Sequence, residues 1–328
     1  MSNNDTPLNV GVIGVGSMGR HHARVYSELP SATLVGVSDV DTEQAREVAQ
    51  KHGTEALPMD DLLDRVDAVS VVVPTQYHLD TAKQCLSAGV APLIEKPVVE
   101  NQRQGEELLS LRDTVGLPVQ VGHIERFNPA IQALTDVLSG LNVLSIKTER
   151  LGPPPRREID DSAVLDLMIH DLDIVLSLDD SDVEEVHSAG VRENRHATAT
   201  LQFESGTIAN LTASRLTQRK VRRLVVTAEE CLVEVDYMDQ SIEIHRRSVP
   251  EYIENGGDIK YRHESIIERP TVNHGEPLKN ELESFIGAVA NGSEPVVTVE
   301  DGLNALELAQ TIDENDAPEH KKTINPIQ

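Results

Sequence analysis

An aspartate and a histidine four residues apart are the pair in this chain best suited to moving a proton. They are Asp166 and His170, in the run Asp-Leu-Met-Ile-His-Asp-Leu-Asp that ends at Asp173. On a helix that spacing sets both side chains on one face, a turn apart. A carboxylate so placed fixes an imidazole's tautomer and stabilises the imidazolium, and an imidazole titrating near neutrality is a general base. Lys96, between Glu95 and Pro97, supplies an ammonium that can donate to an oxygen on which negative charge develops. Together these groups suit the oxidation of a secondary alcohol: His170 takes the proton, Asp166 orients it, and Lys96 stabilises the alkoxide and then the ketone. The hydride needs a separate acceptor. The same Asp/His pair could bind metal, but no third and fourth ligand stands at convincing spacing, so no metal is expected.

The hydride acceptor is written at the start of the chain. Leu8 to Val15 is a β-rich run that leads into Gly14-Val-Gly16-Ser17-Met18-Gly19, and helix-like sequence follows to about Leu29. A second apolar run, Thr33 to Ser38, ends at Asp39, 20 residues after Gly19. A Gly-x-Gly-x-x-Gly that leaves a strand, opens a helix and reaches an acid at the next strand end is a dinucleotide fingerprint. The glycines let the backbone approach a pyrophosphate, and Ser17 and Met18 open a helix whose N–H groups favour an anion. Asp39 would accept from ribose hydroxyls. Val40 and Asp41 bring no cation for a 2′-phosphate, so the expected cofactor is NAD.

Strand and helix go on alternating. Residues 41–53 and 60–65 read as helical. Ala68 to Val73 is a nearly unbroken β-branched run that leads to Pro74-Thr75-Gln-Tyr-His78 and a helix to Ala88. Pro92 to Glu95 is a strand, Asn101 to Val115 a helix and Pro118 to Gly122 a strand. This predicts a doubly wound parallel sheet, a Rossmann domain over residues 1–122. Ligands of such sheets lie beyond the carboxyl ends of strands. Asp39, Pro74, Thr75, His78, Glu95 and Lys96 all fall there and are the expected cofactor contacts.

Residues 123–328 read as a second, α+β domain. A helix from Pro129 to about Ser139 precedes a strand, Leu141 to Leu151, and a rigid basic loop, Gly152-Pro-Pro-Pro-Arg156-Arg157. Asp160-Asp161-Ser162 is a good N-cap region for the helix of Asp166 and His170. From Val183 onward strands follow one another at short spacing. In His196 to Phe203, Ala197, Ala199, Leu201 and Phe203 share one face. A large, open, mostly antiparallel sheet with one helix-covered face is expected. Residues 246–275 read as a polar loop with one extra strand, and helices at 278–290 and 299–313 close this domain.

Composition narrows the partners. The 328 residues carry 55 Asp and Glu against 29 Lys and Arg, a formal charge of −26. That disfavours nucleic acid or an anionic membrane. Acid excess with scarce lysine points to a high-salt cytoplasm, where self-repulsion is screened. Two cysteines, Cys85 and Cys231, lie in no metal-like cluster and read as buried thiols in a reducing compartment. The N-terminus has no signal-peptide pattern, and no apolar run approaches the ~20 residues that span a bilayer. Local basic groups stand out against this acidity. Arg126, Arg156 and Arg157 suit a diphosphate, with Asn128 as a sugar or phosphate donor. Arg215, Arg219, Lys220, Arg222 and Arg223 read as a solvated charge run.

Gly14-x-Gly16-x-x-Gly19, Asp39, Pro74-Thr-x-x-His78, Glu95-Lys96-Pro97 and Asp166-x-x-x-His170 resemble, in order and spacing, the Gfo/Idh/MocA oxidoreductases. Three segments, 121–130, 165–173 and 220–227, are similar to a narrower group, the UDP-N-acetylglucosamine 3-dehydrogenases. That resemblance implies NAD-dependent oxidation of the C3 hydroxyl of a nucleotide sugar to its 3-keto form. It also implies a homodimer or homotetramer formed through the polar face of the C-terminal sheet. Many relatives carry a glycine run before the Asp-x-x-x-His helix. Here Asp160-Asp161-Ser162-Ala163-Val164 stands in its place, which bears on the sugar accepted. Another nucleotide sugar, an inositol or a polyol is the alternative substrate. A non-catalytic NAD-binding regulator is the alternative of another class, and retention of Lys96, Asp166 and His170 argues against it.

Overall fold

The β-branched runs of the N-terminal half become six parallel strands. They are β1 (Leu8–Ile13), β2 (Ala32–Ser38), β3 (Glu55–Ala56), β4 (Ala68–Val71), β5 (Ala91–Glu95) and β6 (Gln120–Gly122). Their order is β3-β2-β1-β4-β5-β6. Val10, Val12, Val69, Val71, Leu93 and Ile94 are fully buried, as strands covered on both faces require. The connecting helices are α1 (Ser17–Glu28), α2 (Thr42–His52), α3 (Met59–Leu63), α4 (His78–Ser87) and α5 (Gln102–Val115). Asp41 caps α2 by accepting from the Glu43 and Gln44 N–H groups, and Asn101 caps α5 through Gln104 N–H. The order reverses between β1 and β4, and the carboxyl ends of those two strands open a crevice.

The computed structural model describes residues 6–154, 162–247, 251–255, 258–262 and 265–314. They form two units, Met1–Phe127 with Gly275–Glu307, and Asn128–His274 with Leu308–Gln328. The division expected at Gly122 therefore moves, and the first unit is discontinuous. After β6 the chain makes one tight turn, Ile124–Phe127, and the Phe127 carbonyl accepts from the Asn280 side chain at 3.1 Å. Two C-terminal helices, α8 (Pro277–Asn291) and α9 (Val299–Glu314), were expected to close the second domain. Instead Leu278, Leu282, Phe285 and Ile286 of α8 share one core with Val10, Val12, Tyr26 and Leu29. The early turns of α9 also belong to this unit. Leu303 packs on Gly105, where an added Cβ would stand 2.3 Å from the leucine's Cδ2.

In the second unit, α6 (Pro129–Leu138) is followed by β7 (Val143–Leu151). After α7 (Ile169–Leu178) come β8 (Val183–Val191), β9 (His196–Phe203), β10 (Ile208–Ser214), β11 (Val221–Ala228), β12 (Leu232–Asp236) and β13 (Ser241–Arg247). The stretch expected as loop holds β14 (Glu251–Asn255) paired with β15 (Asp258–Arg262), and β16 (Ser265–Glu268). All four residues of β16 are exposed, so no buried face marks that strand in the sequence. The main sheet runs β16-β13-β12-β11-β7-β10-β9-β8, antiparallel except where β10 lies parallel to β7. Ala197, Ala199, Leu201 and Phe203 are buried, while Thr198, Gln202, Ile208 and Asn210 face outward.

α7 packs on β7 and β10 and is fixed there by charge. Arg150 on β7 holds Asp171 of α7 in a two-pronged bond, Nε–Oδ2 at 2.8 Å and Nη2–Oδ1 at 2.9 Å, and both groups are buried. The guanidinium also lies 5.3 Å from the ring centre of Tyr237. Removing one partner strands the other charge in a dry site. Asp171→Ala is expected to lower stability by about 3–5 kcal/mol, read by urea unfolding of the full chain. The double change to Asp171→Ala with Arg150→Met should recover part of that loss.

Candidate functional site

At the end of β1 three stretches of backbone meet too closely for side chains. Gly14 has φ +87 and donates to the Ser38 carbonyl at 2.8 Å. A Cβ on Gly14 would lie 2.5 Å from the Val72 carbonyl oxygen at the end of β4. One on Gly19 would lie 1.9 Å from the Gly14 oxygen, so α1 starts flush against the turn. Gly16 is different: it caps α1, and an added Cβ would meet no protein atom within 4 Å. That open approach, beside a first turn with no acidic residue, fits the pyrophosphate of a dinucleotide. Asp39 braces the turn, its Oδ2 accepting from Val15 N–H at 2.7 Å and its Oδ1 from Asp41 N–H at 2.9 Å. Val40 beside it is fully exposed.

The other two loops of this edge are tied together from below. Both ring nitrogens of buried His78 lie 2.8 Å from backbone carbonyls, Nδ1 from that of Pro97 and Nε2 from that of Val73. This corrects its expected role. Both ring nitrogens face backbone rather than the crevice, and the ring, packed between the loop after β4 and the loop after β5, donates to one of the two carbonyls. Burial pushes its pKa down against the pull of those carbonyls. Pro74 and Thr75 form the exposed and half-buried start of that first loop. Glu95 also turns inward, against expectation. Its Oε1 lies 3.0 Å from His22 Nε2, and its Oε2 accepts from Lys96 N–H at 3.2 Å. Burial acts to raise the Glu95 carboxyl, but the His22 hydrogen bond and the Lys96 cation hold it below the usual carboxylate range. Lys96 itself is half-buried and joined to Pro97 by a cis peptide bond.

In the second unit the Asp166 helix opens as expected, with Ser162 Oγ accepting from Val164 and Leu165 N–H at 3.2 Å. Its first turn, Val164–Met168, is wound wide as a π turn, and His170 follows in α7. Such turns recur at functional sites. The Asp166 carboxylate is held in an ion pair by Arg215, which is buried just beyond β10. Arg215 was expected in a solvated run. So was Arg222, which donates to the Leu151 carbonyl at 2.8 Å, and Arg223, which pairs with Glu234.

The expected diphosphate group divides. Asn128 is buried, caps α6 through Ala130 N–H at 3.1 Å and donates to the Tyr237 carbonyl at 3.1 Å, so it is a structural cap rather than a sugar donor. Arg126 is turned to Asp301 at 3.6 Å. Arg156, Arg157, Asp160 and Asp161 lie outside the described residues.

Three residues were missed, and each had a signal. Arg150 continues the inward phase of Ile146 and Thr148, and Arg215 continues that of Ala209, Leu211 and Ala213. An arginine in a buried strand phase must find a carboxylate. His22 lies on the buried side of α1 with Gly19, Ala23 and Tyr26, where a ring needs polar partners. Among the described residues, no cluster of three His, Cys, Asp or Glu could hold a metal, and no helix is long and apolar enough to cross a membrane.

Comparison with known proteins agrees with this geometry. Residues 8–123 match the family model described as an oxidoreductase family with an NAD-binding Rossmann fold, and residues 147–234 match the GFO/IDH/MocA C-terminal domain. A UDP-N-acetylglucosamine 3-dehydrogenase of Acidithiobacillus ferrooxidans is 34% identical over 86% of this chain and 89% of its own. The solved structure of that organism's enzyme, GnnA, superposes with TM-score 0.85 at 32% identity, covering 94% of this chain and 97% of the other. An inositol 2-dehydrogenase of Rhizobium meliloti is 26% identical over 92% of this chain and 94% of its own.

The two outer glycines and Gly16 should separate fold from binding. Gly16→Ala is expected to leave the melting temperature nearly unchanged and to weaken NAD binding at least about tenfold, since the methyl stands where the pyrophosphate must come. Gly19→Ala should lower both. Calorimetric titration with NAD and thermal melts check this.

Proposed function

The chain belongs to the GFO/IDH/MocA oxidoreductases, and on that footing we propose that it oxidises the C3 hydroxyl of a UDP-N-acetylated hexose to the 3-keto nucleotide sugar. UDP-N-acetylglucosamine is the first candidate. The observation that carries this reading is likeness along most of the chain to the Acidithiobacillus dehydrogenase, in a sequence that retains Lys96, Asp166 and His170. The turn from Gly14 to Gly19, with Asp39 behind it, holds NAD. NAD, when bound, supplies the hydride acceptor. His170 removes the hydroxyl proton as general base, and Asp166 keeps its ring in the competent orientation. Lys96 donates to the reacting oxygen, stabilising first the developing alkoxide and then the carbonyl. Arg156 and Arg157 take the diphosphate through planar, multi-pronged donors.

The enzyme works in the cytoplasm as a homodimer or homotetramer, formed through the outward face of the sheet that carries Thr198, Gln202, Ile208 and Asn210. Light scattering is expected to give a mass of two or four chains, and a monomer would remove this part of the reading.

Turnover decides the main claim. Purified protein with NAD and UDP-N-acetylglucosamine should generate reduced nicotinamide absorbance, while myo-inositol and free N-acetylglucosamine should give far less. Lys96→Met and His170→Ala are each expected to lower kcat by about 10²–10⁴-fold, with NAD affinity little changed. A preference for inositol over every nucleotide sugar would reassign the substrate.

A further inference from the structure

A row of buried polar side chains crosses the first unit and ends at the backbone of Lys96. Tyr26 Oη lies 2.9 Å from Ser70 Oγ, Ser70 Oγ lies 2.9 Å from His22 Nδ1, and His22 Nε2 lies 3.0 Å from Glu95 Oε1. Glu95 Oε2 then accepts from Lys96 N–H at 3.2 Å. Tyr26, Ser70 and His22 are fully buried. With the His22 ring neutral, one placement of hydrogens satisfies every contact. Tyr26 donates to Ser70, Ser70 donates to Nδ1, and Nε2–H donates to an ionised Glu95. The opposite ring tautomer would point a lone pair at the carboxylate.

We infer that His22 is a positioning residue for the reaction: through Glu95 it fixes the backbone, and hence the amine, of Lys96. This rests on the dehydrogenase reading above. Three secondary elements meet in the row: His22 and Tyr26 come from α1, Ser70 from β4 and Glu95 from β5. The carboxylate has little room to swing, since a Cβ on Gly122 of the neighbouring β6 would lie 3.1 Å from its Oε2. The charged or titratable groups along the row are His22 and Tyr26 on α1, Lys96 next to Glu95 in the chain, His78 on α4 and buried Glu281 on α8, whose charge acts on Tyr26; Ser70 and Gly122 are uncharged. Burial pushes the Tyr26 hydroxyl up, so it stays a donor. The carboxyl of Glu95 is ionised at neutral pH because His22 and Lys96 outweigh its burial. Without His22 the carboxyl rises, takes up a proton nearer neutrality, and loses its grip on the Lys96 loop.

Four variants and one spectrum test this. In His22→Leu, kcat with NAD and UDP-N-acetylglucosamine should fall about 10²-fold, the scale of a displaced catalytic group, with little change in the KM for NAD. Its acid limb of kcat against pH should move to higher pH. His22→Gln restores an N–H toward Glu95 and should recover most of kcat. Glu95→Gln should lower kcat similarly, and the His22→Leu/Glu95→Gln double variant should be no worse than Glu95→Gln alone. In protein labelled with nitrogen-15 histidine, with His22→Gln assigning the signal, the His22 ring should carry its proton on Nε2 with or without NAD. A proton on Nδ1 alone, full kcat with an unmoved pH profile in His22→Leu, or additive losses in the double variant would each overturn the inference. If wild-type protein oxidises no nucleotide sugar or polyol, the dehydrogenase reading falls and the positioning role with it, whereas an Nδ1 proton in an active enzyme refutes the His22 role alone. Should His22→Leu not fold, His22→Gln and the spectrum still decide.

Discussion

Close backbone contact at the end of β1 is the constraint on which the first unit depends. The Gly14 carbonyl sits where a Gly19 side chain would be, and the Val72 carbonyl sits where a Gly14 side chain would be. Three connections of the sheet are thereby locked at one edge without any side chain between them. Because the contacts are backbone to backbone, they cannot relax by rotating a side chain. Asp39 closes the arrangement from the far side by accepting from Val15 N–H. The turn is thus closed by backbone at Gly14 and Gly19 and open at Gly16, the approach proposed for the pyrophosphate.

Beneath this edge, the two conspicuous polar residues at strand ends face inward. His78 and Glu95 form part of the support for the loops that carry Pro74 and Lys96. The second unit uses the same device with the charges reversed. Arginines in inward strand phases, Arg150 and Arg215, hold the two carboxylates, Asp171 and Asp166, that fix the start of the histidine-bearing helix. In both units the groups suited to chemistry stand on elements pinned by buried, hydrogen-bonded charge. A reactive side chain held in this way loses little orientation freedom when a substrate arrives.

Much of this was legible in the sequence because the two periodicities are clear. Runs such as Ala68 to Val71 are short, Val-rich and set between helical stretches, and so read as buried parallel strands, while Ala197 to Phe203 alternates because one face is outside. The glycine turn and Asp39 were legible because spacing alone defines them. What escaped was partner choice. A sequence shows that Arg215, Asn128 and His78 are polar, but whether each meets water, a carboxylate or a carbonyl depends on strands far away in the chain. The allocation of α8 escaped for the same reason. Its amphipathic pattern says that it must cover a core, without saying which of two.

That allocation has a consequence for biogenesis. The apolar surface around Val10, Tyr26 and Leu29 is covered in part by Leu278, Leu282 and Phe285, and the Asn128–His274 part of the second unit is made in between. During synthesis, the nucleotide half emerges from the ribosome with a hydrophobic flank still bare. It stays bare until almost the entire polypeptide has been translated. Residues 8–122 are therefore an unfinished body rather than an autonomous one. A chaperone that shields apolar surface has its longest opportunity on that flank.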